Sequence, residues 1–311
     1  MSRWIYMRTN ADPVNHLGPA KKDRFVADSP NDGARFLFDA GFEYSYPGGP
    51  IAGRQPGANP VNGQPIYDVA MRGVNGAASV DAPNRILYAG KGFDFSPTAS
   101  LNAVGNYIAT PADAVNDIVT AYGGKVQRFL VAMYIKTPAV GDWNTSAGII
   151  HTMMQSANGA HAYHDAPDLL MLRQSTSSTK SLTFSRQTAI NAISSLGLSL
   201  TDADRGVFTL LAYWRNDAGT GMMLRNTAGR REVVAGVVGA DNAETLTGTA
   251  FRFGPCGFFG NPGNAGTGSK WKLYRAMIEN LARSARDPAY ALDADWNRVM
   301  ARRAADPTLF V

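Results

Sequence analysis

Short runs of alternating apolar and polar residues recur along the chain from residue 34 onward. In 34–39, Phe36 and Phe38 fall on one face at a period of two, the spacing of a half-buried strand. Residues 126–135 combine alternation with a continuous apolar run, a pattern typical of a central strand covered on both faces. Turn residues separate further predicted strands at 66–70, 86–88, 92–95, 148–154, 168–173, 181–185, 206–215, 221–226, 250–254 and 271–278. Many short strands with few helices between them predict an all-β fold, an antiparallel β-sandwich.

Helical patterns occupy three segments. The sequence at 110–113 offers an N-cap, a first-position proline and an acidic first turn, and Gly123 ends that helix. A second helix is predicted at 188–196. The third is C-terminal: it begins at Asp287–Pro288, and its apolar stripe includes Trp296. We expect this last helix to pack against the sandwich or a partner subunit.

These patterns divide the chain into three parts. Residues 1–32 are polar and broken by prolines, so by themselves they bury too little apolar surface to become ordered. They are predicted to be either an assembly arm, with Trp4 and Tyr6 in one short strand, or a frayed terminus. Residues 33–283 form the sandwich, and residues 284–311 form the C-terminal helix and tail.

The composition narrows the class of protein. The chain has 311 residues and a single cysteine, so an internal disulfide is excluded. Its longest apolar run, 129–135, is far shorter than the ~20 residues of a membrane-spanning helix, and the N-terminus shows no apolar signal-peptide core. A net charge of +5 with 18% charged residues is typical of a solvated surface. We expect a protein made in a reducing cytoplasm, with no nucleic-acid partner and no membrane insertion.

Five segments carry a resemblance to a known family. The first is Phe36–Asp39, which is similar to an early strand that ends in an acidic or small residue. Gly92–Phe95 is similar to a strand of the G-x-F-D-F type, and Phe129–Pro138 to an apolar strand that ends in Lys and Pro. Residues 207–226 are similar to a long hairpin, and Lys272–Leu281 to a closing strand. Together they resemble the laminin G-like and concanavalin A-like lectin jelly roll, which implies a lectin-like sandwich and does not specify a ligand.

The segment 273–296 resembles the closing part of virion proteins of tailed bacteriophages and prophages, where lectin-like jelly rolls sit in tail fibres, baseplates or head spikes. The resemblance implies a non-enzymatic structural protein of the virion, assembled in the bacterial cytoplasm. Its implied partners are other virion proteins and copies of itself, and it leaves a host-surface glycan open as a ligand. We expect Trp4, Tyr6 and Trp296 to contact neighbouring subunits, the arm by adding a strand to a neighbour's sheet edge.

Two other functions stay open: a glycan-degrading enzyme on a jelly-roll scaffold and a free carbohydrate-binding module. Retaining glycosidases need two carboxyl groups about 5 Å apart, and the family's Glu-x-Asp-x-x-Glu signature is absent from this sequence. Glu43, Glu232, Glu244 and Glu279 stand far apart along the chain. We therefore predict no catalytic residues.

The candidate ligand-binding residues lie in two polar loops. A predicted hairpin loop at 157–167 contains the cluster His161, Tyr163, His164 and Asp165. These histidines and Asp165 are the right types to hold a metal ion, but no fourth ligand is indicated, so we interpret the loop as a binding tip. Trp143 lies in a second polar loop, and we expect its ring to be exposed and able to stack on a sugar.

Calcium is an open alternative, and no cofactor is required. Many lectins of the family that this chain resembles bind calcium through loop acids and carbonyl groups. Asp68, Asp94 and Asp217 are the residues that could serve here, although their spacing does not select them.

Overall fold

The computed structural model describes residues 23–42, 44–46, 57–70, 72–98, 105–143, 151–157, 169–174, 180–255 and 269–311. Their strands are β1 Ala34–Asp39, β2 Pro65–Ile66, β3 Gly76–Ser79, β4 Leu87–Tyr88, β5 Phe93–Asp94, β6 Tyr107–Ala109, β7 Phe129–Lys136, β8 His151–Ala157, β9 Met171–Gln174, β10 Ser181–Ala189, β11 Ala192–Ser199, β12 Phe208–Asn216, β13 Gly219–Asn226, β14 Gly229–Ala235, β15 Ala250–Phe253 and β16 Lys272–Asn280. The helices are α1 Arg24–Ala27, α2 Ala112–Val119, α3 Leu281–Ser284 and α4 Pro288–Ala305. Short 3₁₀ turns lie at Pro30–Asp32, Ser96–Thr98, Val140–Asp142 and Asp202–Asp204.

The strands form two antiparallel sheets of eight strands each. The first sheet has the order β14-β13-β12-β7-β16-β5-β4, and β1 also pairs with β16. The second sheet has the order β11-β10-β9-β8-β15-β6-β3-β2. The prediction of an all-β antiparallel sandwich is therefore confirmed.

One edge of β16 pairs with two different strands. Its first two residues pair with β5, Leu273 lying opposite Phe93, and its later residues pair with β1, from Arg275 opposite Asp39 to Glu279 opposite Ala34. On its other edge β16 pairs with β7, and that register shifts between Leu273 and Arg275. Because of this shift both Tyr274 and Arg275 point away from the sandwich interior.

The gap between the sheets is filled by an apolar core rich in aromatic side chains. Phe38 of β1 lies 6.0 Å from Phe93 and 6.2 Å from Phe253, measured between ring centroids, and so joins the two sheets. Seven of the eight residues of β7 are buried, as predicted for a central strand covered on both faces.

A second apolar layer covers the outer face of the first sheet. Leu292, Trp296 and Val299 of α4 pack there, and so do Phe25 and Val26 of α1. The predicted C-terminal helix is thus present, begins where Asp287 caps it by accepting a hydrogen bond from the Tyr290 N–H at 2.9 Å, and packs on the chain's own sandwich. No helix in the described part of the chain is long and apolar enough to cross a membrane.

A buried ionic cluster ties α4 to this sheet. Arg275 of β16 donates to Asp39, Asp23 and Asp295 at 3.0–3.1 Å. The Tyr134 hydroxyl donates to the second oxygen of Asp295 at 2.8 Å, and Arg302 of α4 reaches Asp39 at 2.5 Å. The cluster therefore joins residues from the N-terminal segment, the sheet and the C-terminal helix.

The expectation that residues 1–32 lie outside the core is wrong for Phe25 and Val26, whereas most of residues 27–32 are exposed. Phe25 and Val26 are buried, and Asp23 accepts from Arg275. A four-residue helix was not evident from a proline-broken polar segment, but the outer face of the first sheet supplies the apolar partner that the segment lacks by itself. Residues 1–22, with Trp4 and Tyr6, lie outside the described residues.

The predicted helix at 188–196 is also wrong. This stretch forms the turn and part of the β10–β11 hairpin, whose register runs from Ser181 opposite Ser199 to Ala189 opposite Ala192. Asn191 in the turn has a φ of +63°, a left-handed conformation that asparagine tolerates better than most residues. Pairing of β10 with β9 on its other edge stabilises the strand conformation.

Candidate functional site

The outer faces of the two sheets differ in chemistry. The outer face of the first sheet is apolar and lies under α4. On the second sheet, the strand register places polar side chains on the outer face. The inward row of the second sheet consists of Leu196, Phe184, Leu172, Met154, Phe253 and Ile108, all packed in the central core. The neighbouring outward row consists of Ser195, Ser185, Met171, Gln155, Arg252 and Ala109. The second sheet therefore presents the polar face that is a candidate for ligand binding.

We call this surface the outer polar face. It consists of Tyr107, Thr152, Gln155, Arg173, Ser185, Ser195 and Arg252. On one side, Arg173 Nε donates to Ser185 Oγ at 3.1 Å, and that hydroxyl lies 2.8 Å from Ser195 Oγ. On the other side, the Arg252 guanidinium lies over the Tyr107 ring, 5.2 Å from its centroid.

The centre of the face lies between these two arginines. Thr152 of β8 pairs with Arg173, and Gln155 of the same strand pairs with Arg252. Thr152, Gln155 and Ser185 are buried, whereas Tyr107 and both arginines are half-buried and Ser195 is exposed. Hydroxyl, amide, guanidinium and aromatic groups thus follow one another across four strands.

Charge is distributed unevenly over the second sheet. The residues assigned to its eight strands include Arg173, Arg186 and Arg252 and no aspartate or glutamate. The strands therefore supply hydrogen-bond donors and positive charge but no pair of carboxylates for acid–base chemistry. This arrangement can bind a polar ligand and orient it.

The structure corrects the expectation that Trp143 is exposed. Its relative exposure is 4%, and its ring packs in the central core. Asp142 accepts a hydrogen bond from the Lys270 N–H at 3.0 Å and pairs with the Lys270 ammonium at 2.8 Å. These bonds anchor the polar turn before Trp143 to the start of β16, and the indole faces inward.

The other predicted ligand-binding residues, His161, Tyr163, His164 and Asp165, lie outside the described residues. They lie between β8 and β9 in the sequence, and these are two central strands of the second sheet. The prediction that they bind a ligand therefore stays a prediction.

The three calcium candidates engage separate partners. Asp68 accepts hydrogen bonds from the backbone N–H groups of Leu37, Ala70 and Arg72 at 2.8–3.0 Å, and burial raises the pKa of its carboxyl. Asp94 accepts from the Ser96 N–H at 2.8 Å and lies 3.9 Å from the Lys272 ammonium.

Asp217, the third candidate, pairs with Lys125 and Arg128, and the hydrogen bond from Lys125 lowers the pKa of its carboxyl. In the part of the chain that the structure describes, no three His, Cys, Asp or Glu residues come together as a metal site. Calcium binding stays an untested expectation.

Trp296, predicted to contact a neighbouring subunit, instead packs inside its own chain. Its ring stacks on Tyr134 with 6.2 Å between centroids and an interplanar angle of 10°, and Arg225 lies over it. The apolar stripe that predicted the helix is covered by the first sheet, so the indole is not accessible to a partner.

Sequence reasoning missed the residues of the outer polar face. The one local signal was the alternation in β10, where Thr183 and Ser185 alternate with Leu182 and Phe184. The other members lie on β6, β8, β9, β11 and β15, and only the strand order brings them together.

Comparisons with known proteins give weak likenesses. No protein-family model matches the chain, and no curated protein matches it. Among solved structures, the chain is similar to the CBM2 module of the evolved Dit of Lactobacillus casei BL23 phage J-1, with a TM-score of 0.34 and 6% identity over 56% of this chain and 69% of that one.

Two larger proteins also show partial similarity. Tailspike protein 2 (ORF211) from Escherichia coli O157:H7 bacteriophage CAB120 gives a TM-score of 0.35 and 15% identity over 59% of this chain and 22% of that one. A mutant of Trypanosoma rangeli sialidase displaying trans-sialidase activity gives a TM-score of 0.39 and 13% identity over 81% of this chain and 31% of that one. All three TM-scores are below 0.5, so these likenesses do not assign the chain to a family or a function.

Proposed function

We propose that the protein is a non-enzymatic structural component of a tailed-phage virion, in the tail fibre, baseplate or head spike, and that its outer polar face binds a host-surface glycan. The difference in chemistry between the two outer faces is the observation that supports glycan binding. The outer face of the first sheet is apolar and closed by α4, whereas that of the second is polar, and Tyr107, Arg173, Arg252 and Ser195 are its accessible members.

The chemistry of this face suits a sugar. Guanidinium and amide groups match sugar hydroxyls because they offer several hydrogen-bond donors or acceptors in one plane. Tyr107 adds an aromatic surface, since aromatic rings bury apolar area at low entropic cost. The lack of carboxylates in the strands of the second sheet favours binding over hydrolysis.

The proposal that the protein belongs to a virion rests on the sequence resemblance at 273–296. Its proposed partners are other virion proteins and further copies of the chain. Trp4 and Tyr6 lie in the short strand predicted within the polar, proline-broken N-terminal segment. We propose that this strand reaches a neighbouring subunit during assembly in the bacterial cytoplasm.

A glycan array on the purified protein tests the ligand. We expect binding to at least one bacterial surface glycan, and Arg252→Gln to weaken it roughly tenfold or more, because a hydrogen bond to a charged group contributes about 1.5–3 kcal/mol. Arg24→Gln is the matched control, since that side chain is 72% exposed on α1. Equal affinity in both variants would contradict the assignment of this face.

The enzyme alternative is tested on the same glycans. Release of new reducing ends over time, lost in no-protein controls, would show turnover and overturn the non-enzymatic proposal. Binding without product release supports it.

The assembly role is tested in phage particles. Deleting residues 1–22 spares Phe25 and the Asp23–Arg275 pair, so we expect an unchanged thermal unfolding midpoint and loss of the protein from purified virions. Normal incorporation would show that the arm is not needed. Absence of the full-length chain from virions would support the free carbohydrate-binding module instead.

A further inference from the structure

Two arginines meet in the gap between the sheets at one end of the sandwich. Arg186 lies on β10 of the second sheet and Arg215 on β12 of the first, and their relative exposures are 1% and 0%. Both point inward, because Arg215 pairs with the core residue Phe129 and Arg186 is two residues beyond Phe184.

A surface segment, residues 236–242, closes this end of the sandwich, and we call it the strap. Arg215 donates to the carbonyl oxygens of Val238 and Gly239 at 2.9 and 2.7 Å. Arg186 donates to the next carbonyl, that of Ala240, at 2.7 Å. Three successive carbonyl groups of the strap thus bind the two guanidinium groups, which places the groups side by side.

The two arginines differ in how fully they are satisfied. Arg215 also donates to the Gln127 carbonyl at 2.9 Å and pairs with Asp241 at 2.5 Å. In Arg186, Nε and Nη1 are buried and make no hydrogen bond of normal length, although the Tyr213 hydroxyl lies close enough to interact with this guanidinium. A guanidinium carries five N–H donors, so three of them, one on Nε and two on Nη1, are left without an acceptor at normal hydrogen-bond distance.

Few acidic side chains of the described residues neutralise the two arginines. Asp241 is shared between Arg215 and Arg128, at 2.5 and 3.2 Å, and no ion pair of Arg186 is found among the described residues. Burial lowers the pKa of Arg215, and the adjacent positive charge of Arg186 lowers it further. A buried charge is stable only when it is paired and hydrogen-bonded, so this arrangement calls for an anion.

We propose that Arg186 and Arg215 form an oxyanion-binding site in which Nε and Nη1 of Arg186 bind a carboxylate, sulfate or phosphate group. Charge-assisted hydrogen bonds of this kind are about twice as strong as neutral ones. The site lies inside the end of the sandwich, separate from the outer polar face, so it stands or falls independently of the glycan proposal.

The strap provides a route to the site. Five of its seven residues are exposed, and its carbonyl groups contact both guanidinium groups, so one layer of chain separates the arginines from solvent. Gly239 allows this close approach: its φ is +68°, and a Cβ there would lie 3.2 Å from Arg186 Nη2. Displacing this thin layer would admit a small anion.

Thermal unfolding with added anions tests the proposal. Sodium sulfate, sodium phosphate and sodium glucuronate are each titrated against sodium chloride at equal ionic strength. Because a ligand that binds only the folded state stabilises it by mass action, we expect a saturable rise in Tm with at least one oxyanion. The oxyanion that saturates at the lowest concentration identifies the group: glucuronate for a planar carboxylate, sulfate or phosphate for a tetrahedral one.

Variants locate the effect. Arg186→Gln is expected to weaken the anion response at least tenfold, while Arg24→Gln, a change at an exposed residue of α1, leaves it unchanged. Should Arg186→Gln fail to fold, the backbone amide resonances of Gly239 and Ala240 in the unaltered protein give the same answer, since they should shift saturably with the anion. No saturable response to any of the three oxyanions beyond that to chloride, or an equal response in Arg186→Gln, would overturn the proposal.

Discussion

Arg275 lies fully buried among three carboxylates beneath the C-terminal helix. Burial alone would lower the pKa of its guanidinium, but Asp295, Asp23 and Asp39 outweigh that effect and hold the pKa well above the ordinary value. In return, Arg275 overcomes the burial of Asp23 and keeps the pKa of that carboxyl below its usual range. At the scale of one residue, this side chain balances charge from three separate segments.

Replacing Arg275 with methionine removes the cation and keeps most of the volume. We expect the free energy of unfolding to fall by about 3–5 kcal/mol, because breaking a buried ion pair leaves uncompensated charge in the interior. Urea unfolding followed by circular dichroism measures the loss. Arg24→Met is the control: its exposed pair with Asp28 should contribute no more than about 1 kcal/mol, and similar losses in both variants would show that the buried cluster has no special weight.

The packing of Trp214 against β13 can be tested by adding one carbon atom at Gly221. It pairs with Trp214 across β12 and β13, and a Cβ at this position would lie 2.1–2.2 Å from atoms of the indole ring. Gly221→Ala should therefore destabilise the fold by about 1–3 kcal/mol through overpacking. In Gly141→Ala the new Cβ would meet no atom within 4 Å, so its unfolding midpoint should stay close to that of the unaltered protein; equal destabilisation of both would refute the argument.

Asp306, just after α4, offers a pH test. A hydrogen bond from Lys91 at 2.7 Å, with further bonds from Thr308, lowers the pKa of its carboxyl from 3.8 to about 2. Because the folded-state pKa is depressed, this stabilisation is present above the unfolded pKa of 3.8 and is lost as the pH falls toward about 2.

Carboxyl NMR across this pH range measures the effect directly. Lys91→Met removes the largest cause and should raise the Asp306 pKa toward 3.8, whereas Lys180→Met should leave it unchanged. An unaltered Asp306 titration in Lys91→Met would mean that the Lys91 contact is not formed in solution.

At the scale of elements, α4 depends on the sheet beneath it. Trp296 contributes the largest apolar surface of its stripe, and Asp293 beside it pairs with Arg225 and Arg230 of the first sheet. Helices in proteins gain most of their stability from such packing and not from intrinsic propensity.

Trp296→Ala should therefore cost about 3–5 kcal/mol, the usual loss for truncating a buried aromatic side chain. Hydrogen exchange is expected to show faster exchange of the α4 amides. Tyr290→Ala, on the same helix but 78% exposed, should change stability by no more than about 0.5 kcal/mol. Unchanged α4 protection in Trp296→Ala would show that the helix does not rely on this contact.

Elements with strong local signals were predictable from the sequence. β1 was predicted at its observed bounds because its period-two pattern is unambiguous, and α4 because Asp287 and Pro288 mark its start. In the hairpin at 181–199, the strand at 181–185 was predicted correctly, whereas a helix was wrongly predicted at 188–196. In that stretch Ile190, Ile193 and Leu196 are spaced by three, as on one face of a helix. In the structure Ile190 and Ile193 are largely exposed, and strand pairing prevails over that spacing.

At the scale of the whole molecule, long-range pairing decides what local patterns cannot. Trp143 sits in a polar sequence and yet is buried, because Lys270, far away along the chain, anchors its turn. The outer polar face is likewise assembled from β6, β8, β9, β10, β11 and β15, whose order does not follow from any one of their sequences. Sequence alone could therefore predict the sandwich but not which face is closed and which is polar.

The pairing of β1 with β16 has a kinetic consequence. Ala34 lies opposite Glu279, so β1 cannot pair with β16 until residue 279 has left the ribosome. Folds dominated by such distant pairings are slow, typically taking milliseconds to seconds. During synthesis, β1 and the apolar strands that follow it stay unpaired until their partners have been made. A nascent chain of this topology is most prone to aggregation in this interval.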